Sequence, residues 1–207
     1  MNTAVAPSCA GWPPDRRAAS TGTGLWVFMG VASALFSLFT LAYAMRMDGG
    51  DWSPIAMPWP LWLSTALLVL GSALLQRAAA AARGGRWAAV PGPLRVGGAC
   101  ALAFLVVQLW GWQMLQSAQV VLAGNPAASF FYLLTAMHGL HVVGGVVGWG
   151  LTVRNAGRAH GADGPVFAWR ITLCARYWHF LLAVWLLLFA MLAWLTPEAV
   201  RWICGTA

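Results

Sequence analysis

FFYLLTAMHGLHVVGGVVGWG, residues 130–150, is long and apolar enough to cross a bilayer, yet it carries His138 and His141 three residues apart. A helix needs about 20 residues to span the hydrocarbon. Charged side chains at mid-helix there cost about 2.5–3.5 kcal/mol on insertion scales. A neutral imidazole avoids part of that cost, but both ring nitrogens still want hydrogen-bond partners. The two histidines are therefore expected to face protein, a lipid headgroup or water, and the packing around them carries the reading of the whole chain. Helical spacing puts Thr135, His138, His141, Gly145 and Gly148 on one face, and Gly144 with Gly148 makes a G-x-x-x-G pair suited to close helix approach.

The rest of the chain is of the same kind. Of 207 residues, 60% are hydrophobic and 8% charged, against about 25% charged in a soluble domain. The mean hydropathy is +0.71. Five stretches qualify as spans: Leu25–Met45, Pro60–Ala80, Val96–Ser117, Phe130–Val153 and Leu173–Leu195. Asp48 to Asp51 with Pro54 and Pro58, Gly84-Gly85 with Pro91 and Pro93, Gly124 to Pro126, and Gly161 to Pro165 separate them. The alanine run 78–82 extends the second helix. The expected fold is an all-α integral membrane bundle of five transmembrane helices over residues 24–196, with a polar tail over 1–23 and a short tail over 197–207. The first 23 residues hold no apolar run and do not read as a signal peptide.

All twelve basic residues are arginines, giving a formal charge of +7. With the N-terminus inside, Arg16, Arg17, Arg77, Arg83, Arg86, Arg95, Arg154, Arg158, Arg170 and Arg176 fall on the cytoplasmic side, and Arg46 and Arg201 outside. This asymmetry predicts an N-in, C-out topology and explains the charge without nucleic acid, which is not an expected partner. Asp15, Asp48, Asp51, Asp163 and Glu198 lie in loops or tails, so the spans contain no carboxylate, and neither a carboxylate pair, a phosphate loop nor a nucleophile elbow is present. An independent proton pump or cation channel does not fit. Cys9, Cys100, Cys174 and Cys204 form no C-x-x-C and indicate neither disulfide nor zinc.

The functional alternatives centre on the histidines. Two histidines at i and i+3 can ligate one metal, with His179 of the fifth span as a third ligand. A bis-histidine haem, however, takes ligands from facing helices. The other reading is packing: His138 and His141 at a helix interface or lipid site with their hydrogen bonds satisfied. In the fifth span Arg176, His179, Ala183 and Ala190 share a face. In the third, Gln108, Trp112, Gln116 and Gln119 form a stripe whose outer end is interfacial, while Gln108 lies deeper and requires an internal partner.

Three blocks resemble subunit III of the haem–copper oxidases, the cytochrome c and quinol oxidase family. Phe131-Tyr132-Leu133-Leu134-Thr135 with His138-Gly139-Leu140-His141-Val142 is similar to the family's F-Y-x-L-T-G-x-H-x-x-H-V, with Ala136 at the usual glycine. Arg176-Tyr177-Trp178-His179-Phe180, with Trp185 downstream, resembles R-Y-W-H-F-V-D-x-x-W. Gly24-Leu25-Trp26-Val27-Phe28 resembles the opening G-M-W-x-F-x-x-S-E. Pro60, Leu61, Thr65, Phe104 and Gln108 add weaker support. The resemblance is to the shorter, five-span bacterial form, and it departs at three intramembrane acids, where this chain has Ala32, Gly111 and Leu182.

The resemblance implies a subunit with no catalytic centre, haem or metal of its own, in the bacterial inner membrane. Haem and copper belong to its partners, oxidase subunits I and II, and phospholipid is bound between its helices. The residues it marks for lipid or subunit contact are Gln108, Tyr132, Thr135, His138, His141, Gly145, Arg176, Trp178 and His179. The missing acids keep open an accessory membrane protein of a related nitric oxide reductase. The histidines keep open a small b-type cytochrome or metal-binding membrane protein.

Overall fold

The computed structural model describes residues 16–47, 49, 51–53, 55–120, 125–156, 164–197, 200 and 202. Five long helices follow one another: α1 Arg16–Arg46, α2 Pro60–Arg83, α3 Pro91–Ser117, α4 Pro126–Ala156 and α5 Gly164–Trp194. All five are long and apolar enough to cross a membrane. A 3₁₀ turn, Trp87–Ala89, joins α2 to α3. Among the described residues every regular element is helical.

The helix starts follow from proline. Pro60, Pro91 and Pro126 open α2, α3 and α4, and Pro165 is the second residue of α5. Proline lacks the N–H that would be orphaned in a first turn and is preset to helical φ. The α2 terminus closes through Gly85, whose φ of +68° is the left-handed cap conformation. Backbone N–H groups of Gly84, Gly85 and Arg86 then return to the carbonyls of Ala80, Ala82 and Ala81. Asn125 caps α4: its Oδ1 accepts from Ala127 N–H at 2.9 Å, while its Nδ2 donates to the Ser53 carbonyl at 2.6 Å and to Ser53 Oγ at 2.7 Å. That one side chain ties the first loop to the start of α4. Beside it, Arg46 and Asp51 form an ion pair at 2.6 Å.

Two helices start well before the spans read from sequence. α1 begins at Arg16 rather than Leu25, inside the stretch read as a tail, and α5 at Gly164 rather than Leu173. Hydropathy registers only the part of a helix that hydrocarbon can hold, whereas backbone hydrogen bonding continues through the polar first turns of α1; in α5 the helix runs on past Arg170 through Phe167, Ala168 and Trp169, which are buried. Residues 1–15 and 203–207 of the two tails, including Cys9 and Cys204, lie outside the described residues, as do Arg158, Asp48, Asp163, Glu198 and Arg201. Cys100 and Cys174 are free thiols.

α2, α3, α4 and α5 close into a ring, each packing on the next and α5 returning to α2, while α1 leans on α4 and α5 from outside. Without a hydrophobic drive between helices in lipid, such contacts depend on close fit and buried hydrogen bonds. The tightest approach is α2 on α3. A Cβ on Gly71 would stand 3.1 Å from the Gly97 carbonyl, and one on Gly97 would stand 2.9 Å from Leu75 Cγ. Across the α3–α4 seam, a Cβ on Gly98 would fall inside the indole of Trp149, whose Nε1 donates to the Leu94 carbonyl at 2.7 Å. Phe104, Phe131, Trp178 and Trp185 fill the centre and are fully buried. α1 turns Trp26, Val31, Leu38, Leu41 and Met45 outward.

Candidate functional site

The histidine face of α4 winds through three neighbours. At one end Tyr132, buried, donates its hydroxyl to the Val120 carbonyl at 2.9 Å. A turn later Thr135 Oγ1 donates to the Phe131 carbonyl at 2.6 Å and accepts from Trp112 Nε1 at 3.1 Å, linking α4 to α3. His138 is completely enclosed by aromatic rings: Phe36 of α1, Phe104 of α3 and Trp185 of α5, with centroids at 6.3, 5.8 and 5.1 Å. His141, half-buried, faces α1, with Phe36 at 5.3 Å and Phe28 at 5.7 Å. Its Nδ1 donates to the Met137 carbonyl at 2.7 Å, and its own carbonyl accepts from the Tyr177 hydroxyl at 3.0 Å.

Gly145 is the small residue that brings α4 onto α5. A Cβ there would lie 3.1 Å from Tyr177 Cε1 and 3.3 Å from both Leu181 Cδ1 and Trp178 Cζ2. The G-x-x-x-G pair does something different from what its spacing suggests. Gly144 and Gly148 face open space: among the described residues, their own helix backbone and chain neighbours aside, nothing comes within 4 Å of a Cβ at either position. They floor a groove of about 590 Å³ between α1, α4 and α5. Thr21, Leu25 and Phe28 form its α1 wall, and Arg170, Cys174 and Tyr177 its α5 wall. Arg176, half-buried, stacks over the Trp26 ring at 5.4 Å from its centroid, pinning α5 to α1 near the same groove.

Three expectations change. His179 does not join the other histidines: it lies on the exposed side of α5 and pairs through Nδ1 with Ser72 of α2. The rings of His138, His141 and His179 therefore face the bundle centre, α1 and α2 respectively and do not form one ligand set. Among the described residues, no three His, Cys, Asp or Glu side chains are grouped to hold a metal ion. The hydrogen bonds expected for the packed histidines are made by His141 but not by His138, whose two ring nitrogens have no partner among the described residues. Gln108, buried as expected, also lacks the internal partner expected of it: neither amide atom is hydrogen-bonded among the described residues.

The three positions where the resemblance leads one to expect acids are built as apolar packing. Ala32 is buried, one turn from each of Phe28 and Phe36 that touch the histidines. Gly111 lies against α2, and even a Cβ would come within 3.3 Å of Leu61 Cδ1. Leu182 is half-buried against the core. Contacts the sequence reading did not single out complete the site. Trp185 Nε1 donates to Thr65 Oγ1 at 2.9 Å, and Ser72 anchors His179. A tryptophan and a hydroxyl on separate helices carry no local pattern that would announce such a bond.

The family profile of cytochrome c oxidase subunit III matches residues 23–196. The chain is 27% identical over 184 residues to the probable cytochrome c oxidase subunit 3 of Mycobacterium tuberculosis, covering 84% of this chain and 86% of that one. It is 29% identical over 173 residues to cytochrome c oxidase subunit 3 of Synechocystis sp., covering 81% and 72% of the two chains. With the probable subunit 3 of Nocardia farcinica it shares 29% over 183 residues, covering 83% and 85%. Matched over a stretch that reaches into all five helices, this multi-pass membrane chain belongs to the cytochrome c oxidase subunit III family.

Proposed function

We propose that the chain packs beside subunit I of a haem–copper terminal oxidase in a bacterial inner membrane, alongside subunit II, and that it stabilises the complex and holds phospholipid without carrying out redox chemistry. Haem and copper reside in the partner subunits on this reading. The observation that carries the lipid part is the groove between α1, α4 and α5. Its apolar length lies along the helices and its α5 wall carries an exposed guanidinium, Arg170, near the helix N-terminus. That arrangement suits an acyl chain with an anionic headgroup at one end, and the volume is within the range of about 300–1,000 Å³ common for ligand sites. The proposed orientation is N-in, C-out. It is supported by Arg77, Arg83, Arg86, Arg95, Arg154 and Arg170, which cluster at the end of the bundle where α1 begins and α2 and α4 finish, while Arg46 lies at the other.

Subunit I contact is supported by the outward apolar face of α1, which the described residues leave uncovered. The test is an oxidase assembled without this chain. It is expected to reduce oxygen at first but to lose activity during turnover faster than the intact complex, with recovery on adding the chain back, and to contain less phospholipid. An oxidase lacking the chain that keeps both its turnover lifetime and its lipid would refute the proposal.

A further inference from the structure

Among the described residues the buried side-chain polar atoms without a partner are both nitrogens of His138, both amide atoms of Gln108, the hydroxyl of Thr40 and the indole N–H of Trp178. Trp178 stands apart, on α5 beside Gly145. Helix register brings the other three within about one turn of one another. On α3, Phe104 meets His138 at 5.8 Å and Trp112 bonds Thr135 at 3.1 Å; Gln108 lies one turn from each. Around α3 its direction falls between the edge that meets α2, at Gly97 and Gly111, and the edge that meets α4, at Gly98 and Trp112. It therefore points into the bundle interior. On α1, Phe36 meets His138 at 6.3 Å and Tyr43 meets Phe130 at 5.7 Å, and Thr40 lies between those two levels.

We infer that Thr40, Gln108 and His138 form an internal hydration site that holds ordered water between α1, α3 and α4. The chemistry of the groups selects the ligand. A carboxamide offers two donors and an acceptor, a neutral imidazole one of each, and a threonine hydroxyl both. Such a set calls for a small neutral molecule that donates and accepts at once. It contains no ionised ligand to balance a cation, and the ring neighbours of His138 are the aromatic faces of Phe36, Phe104 and Trp185. Buried polar groups of this kind are ordinarily satisfied by protein or by ordered water. In a bundle where α1 leans on the other helices from outside, a water bonded to Thr40 and His138 would also fasten α1, the wall of the groove, to the ring. The inference stands apart from the lipid reading, since it concerns the interior and not the groove.

The test is cryo-electron microscopy of the oxidase purified with this chain, at a resolution that shows ordered water. Density within hydrogen-bonding distance of both Gln108 and His138 is expected. A direct Gln108–His138 hydrogen bond with no such density would overturn the inference. A second measurement uses the full chain, labelled with [15N]histidine, in lipid nanodiscs. The His138 ring, assigned by its disappearance in His138→Phe, is expected to receive magnetisation from water far faster than the surrounding aromatic side chains. Gln108→Leu is expected to slow that transfer at least several-fold. Transfer to His138 as slow as to Phe104 and Trp185 would overturn the inference equally.

Discussion

Replacing Gly145 or Gly148 by alanine separates a glycine that packs from a glycine that leaves room. At Gly145 the new methyl would stand 3.1 Å from Tyr177 Cε1 and 3.3 Å from Leu181 Cδ1 and Trp178 Cζ2. Leu181 and Trp178 are fully buried, so neither can swing aside. Overfilling such a contact costs about 1–3 kcal/mol, because packed side chains must leave their rotamers or the helices must part. Alanine for glycine inside a helix returns about 1 kcal/mol of propensity. The net for Gly145→Ala is a loss of roughly 0–2 kcal/mol. Gly148→Ala meets open space, keeps only the propensity gain, and is expected to stabilise by up to about 1 kcal/mol. The propensity gain is common to both, so Gly148→Ala should be the more stable of the two by about 1–3 kcal/mol. Unfolding by sodium dodecyl sulfate in mixed micelles, followed by tryptophan fluorescence, reads this directly. If Gly145→Ala proves as stable as Gly148→Ala, the α4–α5 contact is not the close one described and the reasoning fails.

Other perturbations follow from the same geometry. Trp185→Phe removes the bond to Thr65 and leaves space beside His138 and Phe104; a loss of about 1–3 kcal/mol is expected, and an unchanged midpoint would show that this bond carries no stability. Asn125→Ala unties the first loop from α4 and should cost about 1 kcal/mol. Hydrogen exchange should rise at Ser53 and Ala127 and leave mid-helix amides of α2 unchanged. In Gly98→Ala the methyl must displace the Trp149 indole from the Leu94 carbonyl. A loss of about 1–3 kcal/mol with a shifted tryptophan emission is the expected result, and a silent substitution would contradict the packing.

The number and order of the helices were legible because breakers and apolar length are local properties. Of the starts, Pro60 was legible, whereas Pro91 and Pro126, read as separators of spans, open α3 and α4. The neighbours of each face were not legible. Membrane helices are apolar nearly all round, so periodicity shows which residues share a stripe but not which helix the stripe meets. Hence His179 was grouped with His138 and His141, although it turns to Ser72. Gly144 and Gly148 have the small-residue spacing, but the close approaches are those of Gly71 and Gly97 to each other's carbonyls and of Gly145 to α5 side chains, and these glycines form no such pair within one helix. The histidine blocks pointed correctly to the family. A metal centre with His179 as third ligand would need it to converge on His138 and His141, and a sequence cannot display convergence between helices.

The most direct test of the account is purification of the tagged full chain from native membranes, followed by identification of what accompanies it. Subunits I and II should copurify in stoichiometric amounts, with their haem absorption and with phospholipid that Gly148→Trp, by filling the groove floor, diminishes. Recovery of the intact chain with no haem–copper partner would contradict the central claim.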